Sequence, residues 1–126
     1  MSREYLNAPD VLEIHAALKE RLGGAHGLRD PGQLDAALYR TQSGYYRDVI
    51  EEAAAFWESL SQNHPFVDAN KRTALDAMHV FLGLNEVELT ASSEALYAFV
   101  VPLYDEWRFC FEELEPWLRA NTRGRS

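Results

Sequence analysis

Cysteine is nearly missing from this sequence: Cys110 stands alone. No internal disulfide can form, and a reducing compartment is the natural reading. Long apolar runs are missing too. Nothing approaches the length of a membrane span, and the opening MSREYLNAPD lacks the apolar stretch of a secretory signal. The expectation is a soluble, cytoplasmic protein. Cations are scarce, with 12 Lys and Arg against 20 Asp and Glu, for a net charge of −8. A general nucleic-acid binder usually carries a basic excess, so direct nucleic-acid binding is not expected. The four histidines form neither HExxH nor an HD pair, which weighs against a zinc protease or an HD phosphohydrolase. No P-loop and no Gly-rich loop of ordinary protein kinases is present.

What remains is a globular composition. The 126 residues suffice for one compact domain with a real core, taken as residues 1–126. Helical periodicity dominates. Asp10 precedes VLEIHAALKERLGG, with Val11, Ile14, Leu18 and Leu22 on one stripe and Gly23 and Gly24 as its stop. GGAHGLRDPG reads as a turn-rich connection, and Pro31 suits the first turn of the next helix. A third helix is predicted over about 49–63, ending before His64-Pro65. NKRTALDAMHVFLGLN reads as the most buried helix, through Ala74, Leu75, Met78, Phe81 and Leu82. EVELTA fits a strand or an extended turn. Ser92 or Ser93 caps a fifth helix, with Pro102 near its end, and FEELEPWLRAN closes the domain. Residues 121–126 read as a frayed tail. The fold class is an all-α bundle of about six helices.

The chemistry concentrates in HPFVDANKRTA, residues 64–74. A helix N-terminus exposes unpaired N–H groups and a partial positive charge, which suits phosphates. Asn70 either caps that end or donates to a phosphate oxygen. Lys71 and Arg72 add charge, and Arg72 can bind in bidentate fashion. Asp68 has two readings, an N-terminal cap or a Mg²⁺ ligand beside phosphates. His64 suits a general base toward an incoming hydroxyl. Phe66 anchors the loop in the core. The alternatives are a phosphate-binding loop and an ordinary capped helix.

The same residues resemble the Fic/Doc superfamily signature HPFx[DE]GNGRxxR, and more closely the Doc branch, HxFxDANKRTA. The upstream GGAHGLRDPGQLDAAL is also similar to that branch. The resemblance implies that His64 is the general base and that Asp68 holds Mg²⁺. It implies that Ala69, Asn70, Lys71 and Arg72 form the nucleotide-phosphate set, and that Pro65 and Phe66 shape the loop. AMP-transferring Fic proteins carry glycines where this chain has Ala69 and Lys71, and a second arginine where it has Leu75. Doc toxins share those departures. They transfer the γ-phosphoryl group of ATP to a threonine of elongation factor Tu, which stops translation. The resemblance therefore implies a toxin kinase using ATP and Mg²⁺. The runner-up is an AMP transferase, and a non-catalytic nucleotide- or partner-binding helical module is the third reading. No glutamate is followed by glycine or asparagine, so the inhibitory [ST]xxxE[GN] element of many Fic proteins is absent. Restraint would come from a small antitoxin with a disordered C-terminal segment.

Other residues receive plainer expectations. His15 is structural, His26 is solvated, and His79 sits at the core edge. Arg29 and Asp30 fix the GLRDPG turn by local hydrogen bonds. Tyr45, Tyr46 and Arg47 are candidates for a substrate flap. Trp107, Phe109, Phe111 and Trp117 read as core, and Glu112, Glu113 and Glu115 as a solvated helix start.

Overall fold

A computed structural model describes residues 2–125. Six helices run in order: α1 (Ala8–Leu22), α2 (Pro31–Thr41), α3 (Val49–Gln62), α4 (Asn70–Leu84), α5 (Ser93–Asp105) and α6 (Phe111–Ala120). Two three-residue strands, β1 (Val87–Leu89) and β2 (Thr122–Gly124), pair antiparallel. The architecture is mostly helical, as the periodicity predicts.

The helix starts have local causes. Asn7, three residues ahead of the Asp10 that precedes the predicted stripe, caps α1. The Asn7 side chain accepts from the Asp10 N–H while the Asp10 carboxylate accepts from the Asn7 N–H. This reciprocal pair moves the helix start upstream of the predicted one. Asp30 caps α2 with Pro31 in the first turn, and Asp48 caps α3. Ser92 caps α5, which runs through Pro102 to Asp105.

The hub is α3 rather than α4. Ten of its fourteen residues are buried, against six of fifteen in α4. It packs against α2, α4 and α6, so it has little solvent face to spare. The run Ala53–Ala54–Ala55 lets those neighbours approach closely, while Phe56, Trp57 and Leu60 fill the core. Leu114 and Leu118 of α6 and Phe81 and Leu82 of α4 complete it.

Several further expectations need correction. The tail does not fray: Leu89, Glu88 and Val87 face Thr122, Arg123 and Gly124 in register. The Thr90 N–H donates to the Asn121 carbonyl, and the Arg125 N–H to that of Glu86. Ser126 lies outside the described residues. Trp107 is 93% exposed, because a left-handed backbone (φ +58°) just past α5 turns its ring away from the core. Phe109 of the same cluster is buried, and Phe111 and Trp117 are half-buried against the core. Leu22 is 61% exposed, one turn beyond Leu18, where the buried stripe of α1 ends. His79 is exposed as well.

Candidate active site

The motif loop connects the end of α3 to the start of α4. Its two limbs are pinned from outside the motif. The Arg29 and Asp30 N–H groups both donate to the Pro65 carbonyl, and the Val67 N–H donates to that of Gly27. Leu28 and Phe66 form an antiparallel bridge. The Arg29 guanidinium reaches the carbonyls of Asn63 and His64, with Nε 2.8 Å from the latter. Its role is therefore long-range and not local to its own turn as predicted. Asp30 does act locally, as the α2 cap.

His64 itself is held through its backbone, in a left-handed conformation (φ +50°) that is uncommon for a side chain with a Cβ. Its ring is exposed and has no hydrogen-bond partner among the described residues, so the ring nitrogens are open to a ligand. Pro65 and Phe66 are buried. The Phe66 ring stacks on His15 at 3.9 Å with the planes 5° apart. His15 Nε2 lies 3.0 Å from the Asp68 carbonyl oxygen. The structural part expected of His15 is thus to seat the loop on α1.

Asn70 does not cap α4. Its side chain accepts from the Phe66 N–H at 2.9 Å and donates to the Phe66 carbonyl at 3.0 Å. Both ends of the amide help close the loop, and the second Nδ2 hydrogen has no partner among the described residues. The turn into α4 is made by Ala69 at φ +63°, where a Cβ is strained. No side chain caps α4. At α6, which also lacks a cap of its own, Glu58 accepts from the first-turn Phe111 N–H. Among the described residues, α4 alone has no side-chain acceptor facing its first turn. Its N–H groups open instead into a groove of about 640 Å³, lined among others by Lys19, Gly24, His64, Asp68, Lys71 and Arg72.

The cations line that groove but already have partners. Lys71 Nζ stands 4.3 Å from the centre of the Tyr104 ring, a cation–π contact. Arg72 Nε pairs with Asp76 Oδ1 at 3.2 Å. Burial pushes the Tyr104 hydroxyl up to about 12, although its bond to Ser61 pulls the other way, so Lys71 faces a neutral phenol.

Asp68 is engaged on both oxygens. Oδ2 accepts from Lys19 Nζ at 2.6 Å and Oδ1 from the Ala69 N–H at 2.8 Å. The Lys19 hydrogen bond, then the Ala69 N–H, hold this carboxyl below the ordinary aspartate range. Mg²⁺ demands oxygen ligands at about 2.0–2.1 Å in near-octahedral array. The one carboxylate of the loop already has an ammonium 2.6 Å from Oδ2. Among the described residues no cluster of three or more His, Cys, Asp or Glu side chains could hold a metal. The arrangement does not fit a Mg²⁺ ion held by protein side chains alone, with no phosphate to complete its shell.

Tyr45, Tyr46 and Arg47 do not line the groove. Tyr45 is exposed, the Tyr46 hydroxyl accepts from Arg40, and Arg47 pairs with Glu51. Sequence reasoning missed Lys19 and Gly24. A lysine on the stripe side of α1 was the available signal, since a polar residue beside Leu18 must find a partner when buried.

The chain belongs to the Fic/DOC family, whose profile matches residues 5–82, from just ahead of α1 to near the end of α4. Two relatives are similar over somewhat longer stretches. Toxin Doc of Mycolicibacterium smegmatis is 43% identical over 93 residues, covering 70% of this chain and 69% of its own. Protein kinase doc of Escherichia phage P1 is 33% identical over 94 residues, covering 71% and 75%. No helix among the described residues is long and apolar enough to cross a membrane.

Proposed function

We propose that this chain is a Doc-type toxin kinase that moves the γ-phosphoryl group of ATP to a hydroxyl of a protein target. A single observation carries the reading: the uncapped α4 N-terminus opens onto a groove that also holds a histidine with a free ring. Phosphoryl transfer depends mostly on positioning and charge neutralisation, which such an end supplies. His64 takes the proton of the target hydroxyl. That oxygen bonds to the γ-phosphorus as the bond to the bridging oxygen breaks, and ADP leaves. Lys71 and Arg72 reach the phosphates by leaving Tyr104 and Asp76. Mg²⁺ enters as the usual companion of ATP in solution. The names of the two relatives, a toxin and a protein kinase, support the same reading.

A threonine of elongation factor Tu is the first target to test, with arrest of translation as the consequence and a small antitoxin as the restraint. The experiment is incubation with ATP, Mg²⁺ and elongation factor Tu, read by intact-protein mass beside a His64→Ala control. A phosphate-sized gain that needs His64 is expected. An AMP-sized gain would replace the kinase reading with nucleotidyl transfer. If ATP also fails to bind in calorimetry, the groove is not a nucleotide site.

A further inference from the structure

Lys19 is the least expected charge in the molecule. Its side chain is 3% exposed, and lysine is almost never so buried unless paired. Its one hydrogen bond among the described residues goes to Asp68 Oδ2, whose own side chain is half exposed. One turn earlier on α1, His15 meets the Asp68 carbonyl. Thus α1 grips a single loop residue by its carboxylate and its main chain. The Gly-rich turn closes the third side. A Cβ at Gly24 would stand 2.5 Å from Lys19 Nζ and 2.7 Å from Asp68 Oδ2, and the Gly24 backbone (φ +95°) is one that a side chain resists. The ammonium is fitted into a slot made by three segments and borders the groove in front of α4.

We propose that the Lys19 ammonium is the resident cation of the Asp68 loop, standing where a protein-held divalent ion would otherwise sit and lending its charge to a polyphosphate in the groove. The second half rests on the function proposed above; the first half does not. Lysine is a compact point charge that neutralises a carboxylate without needing an octahedral shell. With Lys19 in place, each Asp68 oxygen already accepts one hydrogen bond, and the ammonium beside Oδ2 repels a second cation. Without Lys19, Oδ2 loses its partner and its compensating charge, on a side chain that is half exposed already.

The test begins without nucleotide. Backbone amide spectra are recorded during a Mn²⁺ titration of the wild-type chain, Lys19→Met, and Lys19→Met combined with Asp68→Asn. Methionine is close to lysine in volume and suits a buried slot, and Lys19→Gln serves as a second variant if the first folds poorly. In the wild type, the Gly24, Asp68 and Ala69 amides should broaden no more than the surface average. In Lys19→Met they should broaden selectively, and the Asp68→Asn change should abolish that. Selective broadening in the wild type, or none in either single variant, overturns the proposal. Calorimetry with ATP then tests the second half. The wild type should bind in EDTA nearly as well as in Mg²⁺. Lys19→Met should lose about tenfold or more in EDTA, as expected for a charge-assisted contact, and recover in Mg²⁺. Equal loss under both conditions refutes the charge role. If no chain binds ATP, the phosphate reading falls while the manganese result still decides the metal question.

Discussion

Replacing Asn70 with alanine separates a loop clamp from a ligand contact. In the structure the amide makes two hydrogen bonds, both to the backbone of Phe66, a residue almost wholly buried. A net hydrogen bond contributes about 1 kcal/mol, so their joint loss costs about 2 kcal/mol. Alanine at this first helical position leaves helix propensity intact or slightly better, which gives back a few tenths of a kcal/mol at most. For a chain of this size, about 2 kcal/mol lowers Tm by about 6–10 °C. Differential scanning calorimetry on wild type and Asn70→Ala reads this directly, with urea unfolding as a check that the slope is unchanged. If the Asn70 amide served only a ligand, the ligand-free protein would melt at its normal temperature and only nucleotide affinity would fall. A Tm within about 2 °C of wild type would therefore refute the clamp.

Two other expectations concern groups away from the groove. Asp48 caps α3 and also meets Arg119 of α6 at 3.1 Å. Burial raises its pKa, but the Arg119 bond and the Glu51 N–H outweigh burial and hold it below the ordinary value. A depressed folded pKa gives stability that is complete above the unfolded value, about 3.9, and is lost as pH falls through the folded one. Asp48→Asn should thus be less stable than wild type at neutral pH. The gap between their urea midpoints should close below about pH 3–4, and a constant gap would exclude this linkage. Thr73 is fully buried in the first turn of α4, with no partner for Oγ1 among the described residues. Thr73→Val keeps the shape and removes the unsatisfied hydroxyl, so it should gain about 1 kcal/mol in chemical denaturation. A loss of that size would show that the hydroxyl has a partner.

Most of the fold was legible because helices announce themselves locally. Asp30-Pro31 marks the start of α2, and the periodic stripes of α3 and α4 give their extents. The order of burial was not legible. Phe81 and Met78 make α4 look central, yet the small run Ala53–Ala55 lets α3 be surrounded, and alanines carry little signal in a hydrophobic pattern. The pairing of β1 with β2 joins segments more than thirty residues apart, a relation that no local window contains. Trp107 belongs to an aromatic-rich stretch, but one left-handed residue decides which way its ring faces.

At the site, sequence found the loop but not what holds it. Chemistry-bearing side chains such as Asn70 and Lys71 invite ligand roles when seen alone. In the folded chain Asn70 also ties down the Phe66 backbone, and Lys71 also rests on Tyr104. The residues that hold the loop, Arg29, His15 and Lys19, come from α1 and the turn beyond it, more than thirty positions upstream.

That wiring bears on protein design. The eleven residues from His64 to Ala74 look like a transferable cassette. Their backbone, however, includes two left-handed residues, His64 and Ala69, and the bonds inside the cassette, Asp68 to the Ala69 N–H and Asn70 to Phe66, are only part of what holds it. The opposing forces come from Arg29 on the His64 carbonyl and from His15 and Lys19 on Asp68. Grafted onto another helical scaffold without those three anchors, the same eleven residues would relax toward ordinary dihedrals and present a different surface. The smallest portable unit is the span from α1 through α4.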